Sequence, residues 1–276
     1  MIPRRTGLAF FMMGWMILMN ASLTFSDAQE TKKWEVIVCN PLLQSLEMES
    51  TWAAARATDV KGIEINVYSD LSCSSLVVGK DRPFRMDTPE NARKMSAEAK
   101  AHGLLTPVIC APIQLDTVSE NATAPDWTKT LLQNAPYAGA KLVYFPIVTG
   151  PTKSTLEDNV FIERTTALLK NLSSCGKESG VAVAFENLSI YWNRPEIARP
   201  VLNAFQSGQV GLCLDPINFY WFGHPRSKVY EIVKEFIPRA LHFHVKNVRH
   251  PEDQREAVRT PGWEYGKNSV PAAEGE

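Results

Sequence analysis

The chain has 276 residues, 45% of them apolar and 21% charged, and its 29 Lys+Arg against 30 Asp+Glu leave a formal net charge of -1. Those proportions exclude a disordered or collagen-like chain, and the balanced charge lacks the basic excess of nucleic-acid binders. The length suits one large domain, with an α/β barrel of about 250 residues among the options.

Residues 1–28 read as a secretory signal peptide. Arg4 and Arg5 precede an uncharged apolar run, Leu8 to Met19, and Ser26 and Ala28 supply small residues at the -3 and -1 positions of a cleavage site. The run is shorter than the roughly 20 residues of a comfortable membrane span, and nothing later is long and apolar enough to be one. The expectation is therefore an exported chain, periplasmic or secreted, whose Arg4-Arg5 pair also fits twin-arginine export, with residues 29–276 as one domain. The cysteines number five, an odd count without CxxC spacing. They read as buried free thiols that pack as small hydrophobes.

From Trp34 onward, strands and helices alternate. Trp34–Cys39 reads as a strand, Leu46–Thr58 as a helix and Gly62–Val67 as a second strand. A helix follows with Thr88 at its N-cap, Pro89 at its first position and Gly103 beyond its end. Leu104–Cys110 is the third strand, Pro125–Asn134 a helix, and Leu142–Val148 the fourth strand with Pro146 near its end. A capping box at Ser154–Glu157 opens a helix whose Val160, Phe161, Leu168 and Leu172 recur at helical spacing. Val181–Glu186, Val210–Asp215 and Leu241–Lys246 are the last three strands, separated by helices at Pro195–Phe205 and Ser227–Phe236. Short apolar strands that alternate with helix-length segments imply a parallel sheet. Seven such units without a change of rhythm, and without a Gly-rich phosphate loop, favour a closed (β/α)8 TIM barrel over an open doubly wound sheet.

Catalytic groups of such barrels sit at the C-terminal ends of the strands. Period-two alternation places Ala182, Ala184 and Glu186 on one face of the fifth strand, Gly211, Cys213 and Asp215 on one face of the sixth, and His242, His244 and Lys246 on one face of the seventh. Three successive strands thus end in Glu, Asp and His. Neighbouring parallel strands lie about 4.8 Å apart, so the three side chains can converge. Two carboxylates and an imidazole suit a divalent ion: Mn²⁺, Mg²⁺, Co²⁺ or Zn²⁺. Any one of them alone would be read as a helix cap or a satisfied loop group.

The stretches Phe185-Glu186-Asn187, Leu212-Cys-Leu-Asp215-Pro-Ile-Asn218 and His242-Phe-His244-Val-Lys246-Asn247, together with Gly62-Ile-Glu64-Ile, resemble the xylose isomerase-like TIM barrels from about Trp34 to the C-terminus. That family includes sugar phosphate isomerases/epimerases, hydroxypyruvate isomerases, ketose 3-epimerases and inosose dehydratases. The resemblance implies that Glu186, Asp215 and His244 are three of four metal ligands. It also implies a mechanism in which a carboxylate, Glu186 among them, removes the proton next to a sugar carbonyl to give a cis-enediolate. Candidate substrate contacts are Glu64, Asn187, Asn218, His242, Lys246 and Arg249. The implied substrate is a small carbohydrate, with no nucleic acid.

The chain departs from that pattern twice. Asn218 stands where many relatives carry a His, and it can hydrogen-bond a hydroxyl but not shuttle a proton. The polar stretch after Lys246 contains no eighth strand, so the Glu that would be the fourth ligand is lacking, and Glu274 and Glu276 lie in a small-residue tail. A barrel without its eighth strand exposes the edges of its first and seventh strands, which predicts homo-oligomerisation or poor solubility. Three functions fit: a metal-dependent isomerase or epimerase, a lyase or dehydratase acting on a keto-sugar or inosose at the same site, and a non-catalytic exported sugar-binding barrel.

Overall fold

The computed structural model describes residues 17–21, 34–44, 46, 48–74, 84–118, 122–149 and 156–276. In chain order the elements are β1 (Ile17–Ala21), β2 (Trp34–Cys39), α1 (Asn40–Gln44), α2 (Thr51–Ala57), β3 (Gly62–Asn66), α3 (Pro89–Ala101), β4 (Leu105–Cys110), β5 (Ile113–Gln114), α4 (Asp126–Asn134), β6 (Leu142–Phe145), β7 (Ile147–Val148), α5 (Asp158–Ser179), β8 (Ala182–Glu186), α6 (Ser189–Trp192), α7 (Pro195–Asn203), β9 (Val210–Leu214), α8 (Pro216–Phe222), α9 (Arg226–Phe236), β10 (Ala240–Val245), β11 (Asn247–Val248) and β12 (Ser269–Val270). The strands expected from the sequence form one parallel run, β2-β3-β4-β6-β8-β9-β10.

No parallel eighth strand follows β10 among the described residues. β1 occupies the gap instead, antiparallel to both β10 and β2. Apart from residues 17–21, the expected leader lies outside the described residues, as does the Ser154 end of the expected capping box. The edges that an open barrel would expose are thus paired by a segment excluded from the fold on sequence grounds.

Local chemistry accounts for most boundaries. Thr88 caps α3 by accepting from Asn91 N, and Pro89 follows at the first helical position. The helix expected over Leu46–Thr58 is shorter, because the Ser50 side chain caps α2 by accepting from Ala53 N. Pro146 cannot donate to a ladder, so the expected fourth strand divides into β6 and β7.

The two strand faces pack into separate cores. Ile63, Ile65, Ile109, Val143, Phe145, Val183, Phe185, Leu212 and Leu214 face the helices. Ile37, Cys39, Val108, Cys110, Leu142, Tyr144, Ala184 and Cys213 cluster in the interior. The predicted alternation in β8 and β9 is what the structure shows. All five cysteines are free; Cys175 is half-buried and the other four are buried.

Candidate functional site

The site is built at the C-terminal ends of β8, β9 and β10. In register, Glu186 lies opposite Cys213, and Cys213 lies opposite His242. Asp215 and His244 lie one interior step beyond that row, so the three candidate ligands do not share one row of the sheet. Convergence comes from the stagger of a closed barrel and the length of the Glu186 side chain. Glu186, Asp215 and His244 each offer a ligand atom within 4.8 Å of the others, and all three are buried.

Asp215 is doubly anchored. Its Oδ1 accepts from Ile217 N at 3.1 Å and Asn218 N at 3.3 Å, which caps α8. Its backbone is clamped by Asn187. The Asp215 N–H donates to Asn187 Oδ1 at 2.7 Å, and Asn187 Nδ2 donates to the Asp215 carbonyl at 2.8 Å. Asn187 Nδ2 also donates to Asn193 Oδ1 at 3.1 Å. The amide expected to meet substrate is therefore occupied in joining the end of β8 to the end of β9.

Lys246 Nζ pairs with Asp215 Oδ2 at 2.7 Å and donates to Asn218 Oδ1 at 2.9 Å. Asn218 Nδ2 in turn donates to Glu186 Oε1 at 3.3 Å. The ammonium also lies 4.4 Å from the centroid of the Trp221 ring. Burial disfavours this charge, but the Asp215 carboxylate outweighs burial and raises the Lys246 pKa. Asn218, placed where a proton-shuttling His would be expected, thus bridges Lys246 to Glu186.

Behind this layer sits a second network. Glu64 is fully buried and accepts from Tyr144 Oη at 2.8 Å and His242 Nε2 at 3.1 Å. His244 Nε2 lies 3.6 Å from Glu64 Oε2, and His244 Nδ1 lies 3.2 Å from Glu186 Oε1 and 3.8 Å from Asp215 Oδ2. Burial pushes the Glu64 carboxyl up, but the hydrogen bond from His242 and the imidazole of His244 beside it prevail and hold it well below the usual carboxylate range. Burial works against the His244 imidazolium, yet Cys213 and Glu186 beside it carry its pKa well above the ordinary value. Neither ring nitrogen of His244 completes a well-formed hydrogen bond. A buried imidazole between carboxylates without aligned partners, together with two oxygen donors in reach, fits a divalent cation held by Glu186, Asp215 and His244.

Arg249 stands apart from this cluster. It is half exposed, and its guanidinium donates to the Glu274 carbonyl. Glu276 pairs with Arg226 and Arg255, and Glu274 is exposed, so neither completes the ligand set. Tyr144 and the proximity of Cys213 to both histidines were missed in the sequence. Both lie within apolar strand runs, and only the period-two face shared with known polar neighbours could have marked them.

The amino-acid sequence matches the xylose isomerase-like TIM barrel family over residues 52–275. The chain belongs to that family. A comparison with curated proteins finds no match. Among solved structures, a xylose isomerase-like TIM barrel protein from Mycobacterium smegmatis in complex with magnesium is similar at 15% identity and a TM-score of 0.55, over 82% of this chain and 72% of that one. A sugar phosphate isomerase/epimerase from Parabacteroides distasonis is similar at 14% identity and a TM-score of 0.51, over 79% and 77%. A Bacillus anthracis protein described as the probable 3-DHS dehydratase AsbF, involved in petrobactin synthesis, is similar at 14% identity and a TM-score of 0.52, over 88% and 85%. At these identities the likeness concerns the fold. Family members and neighbours thus include isomerases, epimerases and dehydratases, and the xylose isomerase-like barrel presents a candidate metal-ligand group at its strand ends.

Proposed function

We propose that the chain is a divalent-metal-dependent isomerase or epimerase of a small open-chain carbohydrate. The observation that carries this reading is the buried Glu186, Asp215 and His244 group at the strand ends. A bound Mn²⁺, Mg²⁺, Co²⁺ or Zn²⁺ would polarise the sugar carbonyl and stabilise negative charge as it develops on oxygen. Glu186 is the base that takes the proton from the carbon next to the carbonyl, leaving a cis-enediolate, and returns it at the neighbouring carbon in isomerisation, whereas epimerisation takes a proton from a second acid on the other face. Asn218 steers Glu186 through its amide. Lys246, fixed by Asp215 and Asn218, offers its ammonium to a substrate oxygen. Asn187 and the α8 N-terminus hold Asp215, while Glu64 and Tyr144 hold the imidazoles of β10. Trp221 supplies an aromatic face beside the ammonium.

A dehydratase reading has one specific observation in its favour. The part-buried Lys246 ammonium is a proton donor at the same mouth and could protonate a departing hydroxyl. The two reactions share the first step and differ in the fate of the enediolate. The test is to incubate the full chain with Mn²⁺ and a panel of ketopentoses, ketohexoses and keto-inositols in D₂O. Deuterium should appear at a carbon next to the carbonyl, and Glu186→Gln should abolish both the exchange and the bound metal. Product of unchanged mass means isomerase, and loss of water means dehydratase. Absence of exchange across the panel, or full exchange and metal content in Glu186→Gln, overturns the reading.

Export is proposed on the leader pattern of residues 1–28. Leader cleavage and the β1 strand are alternative fates for residues 17–21, and N-terminal sequencing of the exported protein decides between them.

A further inference from the structure

We propose that the barrel interior carries a second, thiophilic cation site made of Cys213, His242 and His244, which takes Zn²⁺ or Cd²⁺ and excludes a cation from the oxygen-rich group because His244 belongs to both. The three residues each present a ligand atom within 4.8 Å of the others. Cys213 lies in register opposite His242, and His244 is the next interior residue on the same strand, so two adjacent strands hold the whole set. Cys213 and His242 are completely buried and His244 is 3% exposed. All three residues lie within β9 and β10, so the set draws on no loop.

The surroundings favour a soft cation. Interiors of parallel barrels are packed mainly with branched aliphatic side chains. Here the interior cluster contains three thiols, Cys39, Cys110 and Cys213, along with Tyr144. Glu64 Oε2 accepts a hydrogen bond from His242 Nε2 at 3.1 Å. A carboxylate behind a histidine fixes ring orientation and tautomer and raises ligand basicity, the arrangement found behind metal-bound imidazoles. One thiolate and two imidazoles select Zn²⁺ or Cd²⁺ over Mg²⁺ and Mn²⁺, whereas the oxygen donors of Glu186 and Asp215 make their group far less selective against Mg²⁺ and Mn²⁺. On binding, a sulfur–metal bond replaces the Cys213 S–H bond and the proton passes to solvent, so uptake releases acid.

The two donor sets therefore compete for one imidazole. A thiophilic ion would silence the site proposed above, and the inference rests on that reading only for this consequence.

The test uses metal-free full chain titrated with Cd²⁺, with Mn²⁺ followed separately by its electron paramagnetic resonance. One equivalent of Cd²⁺ per chain should develop thiolate-to-cadmium charge-transfer absorption. Cys213→Ser should lose that band and weaken Cd²⁺ binding at least tenfold while it still binds Mn²⁺. Asp215→Asn should keep the band while losing Mn²⁺. In the unaltered chain Cd²⁺ should displace Mn²⁺, and in Cys213→Ser the same Cd²⁺ concentration should leave Mn²⁺ bound. His242→Gln serves as a second variant if near-ultraviolet circular dichroism shows Cys213→Ser unfolded. The proposal is overturned if no band forms in the unaltered chain, if the band survives in Cys213→Ser and points to Cys39 or Cys110, if Asp215→Asn abolishes it, or if both ions bind together. Failure of Mn²⁺ to bind the unaltered chain while the Cd²⁺ results hold would overturn the oxygen-rich site alone.

Discussion

Asn187 is the residue through which the site and the fold are most tightly tied, and replacing it with Ala tests that tie. Its amide accepts from the Asp215 N–H and donates to the Asp215 carbonyl and to Asn193 Oδ1. Asn187 and Asp215 are fully buried and Asn193 nearly so, so truncation leaves the Asp215 N–H and the Asn193 side-chain oxygen without partners, while the Asp215 carbonyl keeps the Asn218 N–H at 3.2 Å. Each unsatisfied buried group costs about 1–3 kcal/mol, and the side-chain cavity adds to this. A small water taking the vacated space would recover part of the loss. The expected cost is therefore about 3–5 kcal/mol, a large part of the roughly 5–15 kcal/mol that stabilises a typical domain. Urea denaturation followed by circular dichroism should show a lower midpoint at unchanged slope. Because Asp215 is positioned through this clamp, Mn²⁺ affinity should also drop about 10–100-fold, as it does when outer partners of metal ligands are removed. Asn187→Asp should be no milder, since a carboxylate keeps the acceptor, loses the donor and places negative charge beside Asp215. The reasoning is refuted if Asn187→Ala loses under about 1 kcal/mol with Mn²⁺ affinity intact. A variant of that kind with only a raised KM for sugar would make Asn187 a substrate contact, as the sequence first suggested.

Burial, reinforced by the Arg259 charge and only partly offset by Glu264, lowers the His250 pKa from 6.5 to about 4. The unfolded chain then binds the proton more tightly, so stability should rise by up to about 3 kcal/mol from pH 4 to 6.5; His250→Gln should flatten that part of a urea-midpoint profile, and an unchanged profile would show that His250 does not cause the slope. Gly223 has φ +111, and a Cβ there would stand 2.1 Å from the Arg259 carbonyl oxygen. Gly223→Ala should therefore cost roughly 2 kcal/mol or more by combining backbone strain with a clash against main chain, and a thermal midpoint equal to the parent's would contradict it.

The parts of this molecule that could be read from the sequence are those whose signal is local. Seven strands showed themselves as short β-branched apolar runs, and Thr88-Pro89 marked a helix start that the structure reproduces. Alternation in β8, β9 and β10 was enough to sort Glu186, Asp215 and His244 onto the interior face. The short α8 helix is not among the expected elements, although Asp215-Pro216 carries its start signal and a helix cap is one reading of Asp215 taken alone. The Glu64 network could not be read at all. Tyr144 is 80 residues from Glu64 and His242 is 178 residues from it, so only barrel closure brings them together. β1 was overlooked for the opposite reason: its local signal was clear and pointed to a leader.

Electrostatics link the two layers of the site. Three acidic side chains, Glu64, Glu186 and Asp215, are buried around two basic ones, His244 and Lys246, whose pKa values both lie above their ordinary positions. Buried charge is tolerated only when paired, because desolvation exceeds any single attraction. Exchange of the His244 proton for a divalent ion raises the positive charge by one at the point where the three acids converge. The same exchange turns His244 from a donor into a ligand and leaves Lys246, still held by Asn218, as the cation that remains for substrate. The arrangement thus makes metal uptake a proton-releasing step, and affinity for the ion should fall as pH drops. Asn218 gains a role that a histidine at the same position could not fill without titrating: it transmits the position of Lys246 to Glu186 through a neutral amide, so the base and the ammonium keep their spacing whichever cation His244 carries.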